Sequence, residues 1–288
     1  MAGFREYNAK IRQLQNMRRV TLAMKMLATT KLARVQDPLA QAQAFDREWG
    51  ELVRLASQHG GEGRNPLLKP RAVPESAFVL MVTSDMGLCG GFNNRLARVV
   101  GDWLGKNREK YRILRFSFCG RKGHHAFRDR VEIRRTYDDA VRRPDLGLAL
   151  RIGQEIFATY AEGKYDEIFL ARNRYFDPAW QEPLVERILP VDPAALPAAE
   201  AQVPYVLGEP GLDRLLPYLL ERHVAYRVFL ALQENAAGEH AARMAAMDSA
   251  SKNIDALCAN YTLLRNRARQ ASITTELIEV VSGAEALR

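Results

Sequence analysis

The most regular signal in the chain is the spacing of apolar residues at its two ends. Towards the carboxyl end, Met247, Ala250, Ile254, Leu257, Tyr261, Leu264, Ala268, Ala271, Thr275 and Ile278 alternate by three and four, and only Thr275 is polar. That is a sustained heptad seam, and no proline after Pro217 interrupts it. Towards the amino end, steps of seven give Leu14, Thr21, Ala28, Val35, Ala42, Trp49 and Ala56. A companion line gives Met17, Met24, Lys31, Pro38, Phe45 and Leu52. Lys31 and Pro38 are the weak points of this second line, and Asp37-Pro38 predicts a kink or interruption. A helix over this stretch would reach ~80 Å at 1.5 Å per residue, much longer than a small domain is wide.

Between the two seams the periodicity changes. Gly60-Gly61-Glu62-Gly63 and the stretch from Pro66 to Pro74 read as a linker. Ala77–Thr83, Arg112–Phe118 and Tyr165–Ala171 are short apolar runs that predict strands. Helical patterns fall between them, near Asn93–Lys106, Lys122–Arg128 and Leu146–Glu162. Pro183 to Pro204, rich in Ala and Pro, predicts a partly irregular return segment. The fold class is therefore α/β: a long antiparallel coiled coil of the N- and C-terminal helices plus a central α/β domain with a mainly parallel sheet. The boundaries are 1–59 for the first helix, 72–208 for a Rossmann-like foot and 209–288 for the second helix. The pairing is antiparallel because both helices leave the one domain side by side, one entering and one leaving, so that a rod stands on the foot.

The last turns follow a different pattern. Leu277, Ile278, Val280, Val281, Ala284, Ala286 and Leu287 fall all round a helical wheel. A helix apolar on every side has to be buried. A two-stranded rod cannot bury its own tip, so these residues imply an apolar sleeve supplied by other chains.

Composition narrows the chemistry. A net charge of +8 (42 Lys+Arg against 34 Asp+Glu) favours acidic partners without choosing among nucleic acid, membrane and protein. Arg18 to Arg34 holds five basic residues and no acid, and Arg265, Arg267 and Arg269 form a second group. Aromatic residues are not interleaved with them, which weakens a nucleic-acid reading relative to a solvated face or an acidic protein partner. Cys89, Cys119 and Cys258 are too far apart for a Cys-x-x-Cys site. No apolar run approaches the ~20 residues of a membrane helix, so no direct membrane insertion is expected.

The loop Ser84-Asp85-Met86-Gly87-Leu88-Cys89-Gly90-Gly91-Phe92-Asn93 sits where phosphate-binding loops sit, after a strand and before a helix. It lacks the Gly-Lys-Ser/Thr of a P-loop and the Gly-x-Gly-x-x-Gly spacing of a dinucleotide fold. A tight turn needing glycine, with Cys89 a buried thiol, is the plainer reading, and no cofactor is expected. His124 and His125 are adjacent and point apart on a helix, so they do not form a metal pair.

Four blocks then carry a resemblance. Ile11–Leu32 (IRQLQNMRRVTLAMKMLATTKL), Ser84–Asn93, Glu239–Asn253 (EHAARMAAMDSASKN) and Arg265–Leu287 (RNRARQASITTELIEVVSGAEAL) occur in the order found in F-type ATP synthase gamma subunits. The chain resembles that family over essentially its whole length. The resemblance implies a non-catalytic rotor shaft inside a ring of three alpha and three beta subunits, its foot joined to the epsilon subunit and the membrane c-ring. It implies that the shaft couples proton or sodium flow to ATP synthesis or hydrolysis, with no nucleic acid involved. It places the chain peripherally on the cytoplasmic face of the bacterial inner membrane. It further implies that Lys25, Asp85, Cys89, Arg269, Gln270 and Thr274 lie at contacts with the beta-subunit lever, and that Leu277, Ile278, Val281 and Leu287 sit in the sleeve. Met86 and Leu22 depart from the Arg and Lys common at those positions.

Overall fold

The computed structural model describes residues 2–59, 68–197 and 212–286. The elements run α1 (Ala2–His59), β1 (Ser76–Val82), α2 (Phe92–Asn107), β2 (Ile113–Cys119), α3 (Arg121–Phe127), β3 (Glu132–Tyr137), α4 (Leu146–Ala161), β4 (Glu167–Tyr175), β5 (Gln181–Leu189) and α5 (Leu212–Ala286). By packing, the chain divides into two units: residues 1–29 with 243–288, and residues 30–242.

The larger unit is built on a five-stranded sheet in the order β3-β2-β1-β4-β5. The first four strands are mutually parallel and β5 runs antiparallel to β4. β1 is buried along its entire length because it is central and covered on both faces. Its Phe78, Leu80 and Val82 point into one core with Ile152 and Ile156 of α4 and Val224 and Val228 of α5. The alternate residues Ala77, Val79 and Met81 point into a second core with Leu96 and Val100 of α2 and Phe127 of α3. A single strand thus supplies both layers through its two-residue period.

Two strands escape the apolar signal. β3 (EIRRTY) is an edge strand whose Glu132 and Arg135 face solvent, while Arg134 lies over the Phe78 ring. Within the segment expected to be partly irregular from Pro183 to Pro204, residues 183–189 belong to the edge strand β5 (Gln181–Leu189), with Pro183 opposite Asn173. Residues 190–197 are irregular apart from a short turn at Pro193–Ala195, and 198–204 lie outside the described residues. An edge strand tolerates proline because one row of its amides has no ladder partner. The hairpin joining β4 to β5 is closed by the Asp177 carboxylate, which accepts hydrogen bonds from the amides of Ala179 (2.7 Å) and Trp180 (2.8 Å).

The smaller unit is an antiparallel helix pair. Arg18 Nε meets Asp255 Oδ1 at 2.5 Å, and Lys25 Nζ, two turns on, meets Asp248 Oδ1 at 2.6 Å, two turns back. Tyr7 lies beside Tyr261, with ring centroids 6.2 Å apart. These ion pairs are solvent-accessible, so they add little stability; their effect is to select register.

Two details of the seams differ from expectation. α1 runs through Pro38 as one continuous helix, and the companion line is displaced by one residue. Met17, Lys31, Pro38 and Phe45 are exposed, whereas Ile11, Leu32, Leu39 and Val53 are buried. The proline ring therefore meets solvent, and burial of its neighbours offsets the lost helical hydrogen bond. On α5, Met247 and Ile254 are buried as the seam requires, but the second packed line runs through Ser251 and Cys258 rather than Leu257. Small side chains there let the helices approach, and Leu257 is left facing outward.

Candidate functional site

The sheet delivers the Ser84–Asn93 loop at the carboxyl end of β1. Its polar groups are spent on one another. Ser84 N donates to Asn93 Oδ1 (3.0 Å), and Asn93 Nδ2 donates to Ser84 Oγ (2.7 Å) and to Cys89 Sγ (3.3 Å). Ser84 Oγ donates to the Met86 carbonyl (2.7 Å). Asp85 Oδ1 accepts from the amide of Arg121 (3.1 Å), and the Ser84 carbonyl accepts from the amide of Lys122 (3.1 Å). The loop is thereby stitched to the start of α3. Asn235 of α5 ties in from the other side, donating to the Thr83 carbonyl at 3.2 Å.

Glycine is needed where β2 passes this loop. Gly120 sits at φ 98°, and a β-carbon there would lie 2.2 Å from the Thr83 carbonyl oxygen. Leu88 and Gly90 also adopt positive φ (61° and 56°), which turns the Leu88 side chain outward. The outcome is a rigid knuckle with an apolar crown: Met86 is 67% and Leu88 61% exposed. Cys89, only 2% exposed, faces inward beneath it. Behind it, burial pushes the Cys119 thiol up to about 12, with the Asp85 charge adding, so this sulfur stays protonated. A cleft of about 210 Å³ lies under the loop, lined by Met81, Thr83, Leu88, Asn94, Lys122 and Ala126. That is smaller than the roughly 300 Å³ at which small-molecule pockets begin.

The sequence-derived contact residues separate into groups. Asp85 and Cys89 share the knuckle. Lys25, Arg269, Gln270 and Thr274 belong to the helix pair, but not to one patch of it. Lys25 is engaged by Asp248, which lies roughly 30 Å along α5 from Arg269 at 1.5 Å per residue. Hydrogen bonds from Lys25 and Lys252 hold the Asp248 carboxyl down at about 2, so the pair persists through neutral pH. Arg269 and Gln270 are exposed, and Thr274 Oγ1 donates to the Gln270 carbonyl (2.9 Å), the usual internal bond of a helical threonine. Leu277, Ile278, Val280 and Val281 are all at least half exposed on the last turns of α5. Leu287, the remaining tip residue, lies outside the described residues.

Sequence reasoning missed the partners of these charges. Asp248 and Asp255 were legible only as acids on a helix; pairing requires the antiparallel register. It also missed a chain of ion pairs in the larger unit that runs from Asp46 through Arg227, Glu186 and Arg172 to Glu234. The available signal was charge at positions where the helix period calls for apolar side chains.

Comparison with known proteins bears on all of these surfaces. Residues 3–287 match the family model described as ATP synthase. The ATP synthase gamma chain of Geobacter metallireducens is 36% identical over 289 residues, covering all of both chains. That of Anaeromyxobacter dehalogenans (strain 2CP-C) is 40% identical over 291 residues, again with full coverage. Among solved structures, a chain of the Tetrahymena thermophila mitochondrial ATP synthase central stalk and c-ring superposes with TM-score 0.60. The identity is 22%, over 81% of this chain and 99% of that one. A chain of the Euglena gracilis mitochondrial ATP synthase gives TM-score 0.64 at 17% identity, over 99% and 94%. The structural likenesses speak to the fold.

Proposed function

Because the chain belongs to the ATP synthase gamma chain family, we propose that it is the central rotor shaft of an F-type synthase, coupling transmembrane proton or sodium flow to ATP synthesis or hydrolysis. It is a non-catalytic subunit. Its partners are three alpha and three beta subunits around the helix pair, with the epsilon subunit and the membrane c-ring at the foot. No helix among the described residues is long and apolar enough to cross a membrane. As a gamma chain it works peripherally, on the cytoplasmic face of the bacterial inner membrane, through its partners. The functional division is 1–59 and 209–288 as shaft and 72–208 as foot.

The observation that carries this reading is the apolar end of α5. Leu277, Ile278, Val280 and Val281 are exposed on one short stretch of the isolated chain, which is the state of an interface awaiting a partner. An enclosing alpha–beta ring buries them. Below the tip, exposed apolar residues (Leu257, Leu263 and Ile273) are interspersed with exposed cations (Arg267 and Arg269). A two-helix shaft lacks three-fold symmetry, so it makes different contacts with each of three identical partners and biases their conformations. Lys25, Arg269, Gln270 and Thr274 contribute contacts to the beta-subunit lever. At the knuckle Asp85 and Cys89 act from within, holding the crown that touches it.

The test is a purified synthase carrying Arg269→Ala with Gln270→Ala, measured in sealed vesicles. Assembly is expected to be normal, with coupled turnover reduced about ten-fold, the loss of roughly 1.4 kcal/mol of contact energy. Unchanged ATP synthesis would remove these residues from the coupling surface. Failure of the unaltered chain to join an alpha–beta ring would remove the reading itself.

A further inference from the structure

The larger unit contains a continuous track of buried and partly buried charge. Arg227 of α5 is its node: Nη1 lies 2.9 Å from Asp46 Oδ2 on α1, and Nη2 lies 2.7 Å from Glu186 Oε2 on β5. The other oxygen of Glu186 accepts from Arg172 Nε on β4 at 2.6 Å. Arg172 then pairs through Nη1 with Glu234, two turns beyond Arg227 on α5. The Arg172 and Glu234 side chains are each only 3% exposed. Three carboxylates and two guanidiniums thus join both long helices to the antiparallel edge of the sheet, with Arg174 a further cation 3.8 Å from Glu186.

Such a track adds little net stability, because desolvation cancels most of the attraction. What it adds is direction. Beside hydrogen bonds from Gln43 to the Tyr175 carbonyl (3.4 Å) and from Asn235 to the Thr83 carbonyl (3.2 Å), contacts between these helix segments and the sheet include aliphatic ones through Val224, Val228, Ala231 and Leu232. Apolar contact is non-directional, so a small roll of a helix costs less there than at an ion pair of fixed geometry. A guanidinium displaced from its carboxylate in a dry site leaves both charges uncompensated, so the ion track opposes small displacements that apolar packing tolerates. α1 and α5 each also contribute residues to the smaller unit.

We propose that Asp46, Arg172, Glu186, Arg227 and Glu234 are positioning residues that form a torsional lock, by which α1 and α5 take up the load applied to the sheet domain. This rests on the shaft reading above and concerns how torque crosses from foot to helices, which the surface contacts do not address. Without the lock the helices remain folded and packed but yield under load, so ATP turnover and ion movement come apart.

The test uses the complete synthase in inverted vesicles. R172M with E234L removes one charge of each sign and replaces it with apolar volume, so the net charge of the track is unchanged and Glu186 keeps Arg227 as its partner. The expected result is a normal amount of the chain in the complex, near-normal ATP hydrolysis, and ions pumped per ATP reduced about two-fold or more. If that variant fails to assemble, R227K decides: it keeps the charge but cannot span Asp46 and Glu186 with two separate nitrogens. It should show the same fall in the pumping ratio. A residue needed only for folding lowers subunit abundance and leaves the ratio of assembled complexes unchanged. An unchanged ratio in assembled R227K or R172M/E234L complexes overturns the lock. A wild-type chain absent from the complex overturns the shaft reading instead.

Discussion

His223 shows what burial does to a single group. It is 5% exposed, and desolvation lowers its imidazole to about 4, with Asp46 opposing the shift and Arg227 adding to it. The fold therefore holds it neutral, whereas an unfolded chain protonates it near 6.5. Stability is full above about 6.5 and falls as the pH drops from there towards 4, by roughly 3 kcal/mol from this group. Thermal melts of the purified chain at pH 7.5 and 4.5 check this. His223→Gln should show a clearly smaller loss on acidification, and an equal loss in both proteins would refute the assignment. Asp248 titrates lower still, so its pairing with Lys25 outlasts this transition.

Among the elements, α4 and α5 cross closely at Gly153. A β-carbon added at Gly153 would lie 2.4 Å from Ala225 Cα and 2.8 Å from its backbone nitrogen. Backbone atoms cannot swing aside as a side-chain end does, so Gly153→Ala should destabilise the larger unit by about 3 kcal/mol, at the upper end of core overpacking. Urea unfolding measures this, and a midpoint within error of wild type would show that the helices separate more freely than their packing implies. The strands with continuous apolar runs, β1, β2 and β4, were legible in the sequence because both sheet faces are buried there. β3 and β5 were not, because a solvated edge strand carries charges and even Pro183 without penalty. Helix existence was equally legible, but the packed face was not. A shift of one residue separates Leu32 and Leu39 from Lys31 and Pro38, and both lines satisfy a heptad count.

For the molecule as a whole, the exposed apolar turn of α5 invites a truncation after Val280. A complex carrying it should assemble, because the seam from Met247 to Ala268 remains, but should lose activity several degrees lower on heating. Equal heat stability would show that the last turns are not enclosed. The α/β class, the two helical seams, the glycine loop and the order of blocks that marks the family are written in local pattern. Each of these follows from local periodicity or from residues close together in the chain. Packing settles the rest: which line of each seam is packed, that Cys89 faces inward while Met86 and Leu88 face out, and that Lys25 stands far along the pair from Arg269. It alone assembled Asp46, Arg172, Glu186, Arg227 and Glu234 into one track. Those five residues are spread over nearly two hundred positions, and no local pattern encodes which charges meet. Their pairing is set by the antiparallel register of α1 on α5 within the larger unit and by the turn that brings β5 back along β4.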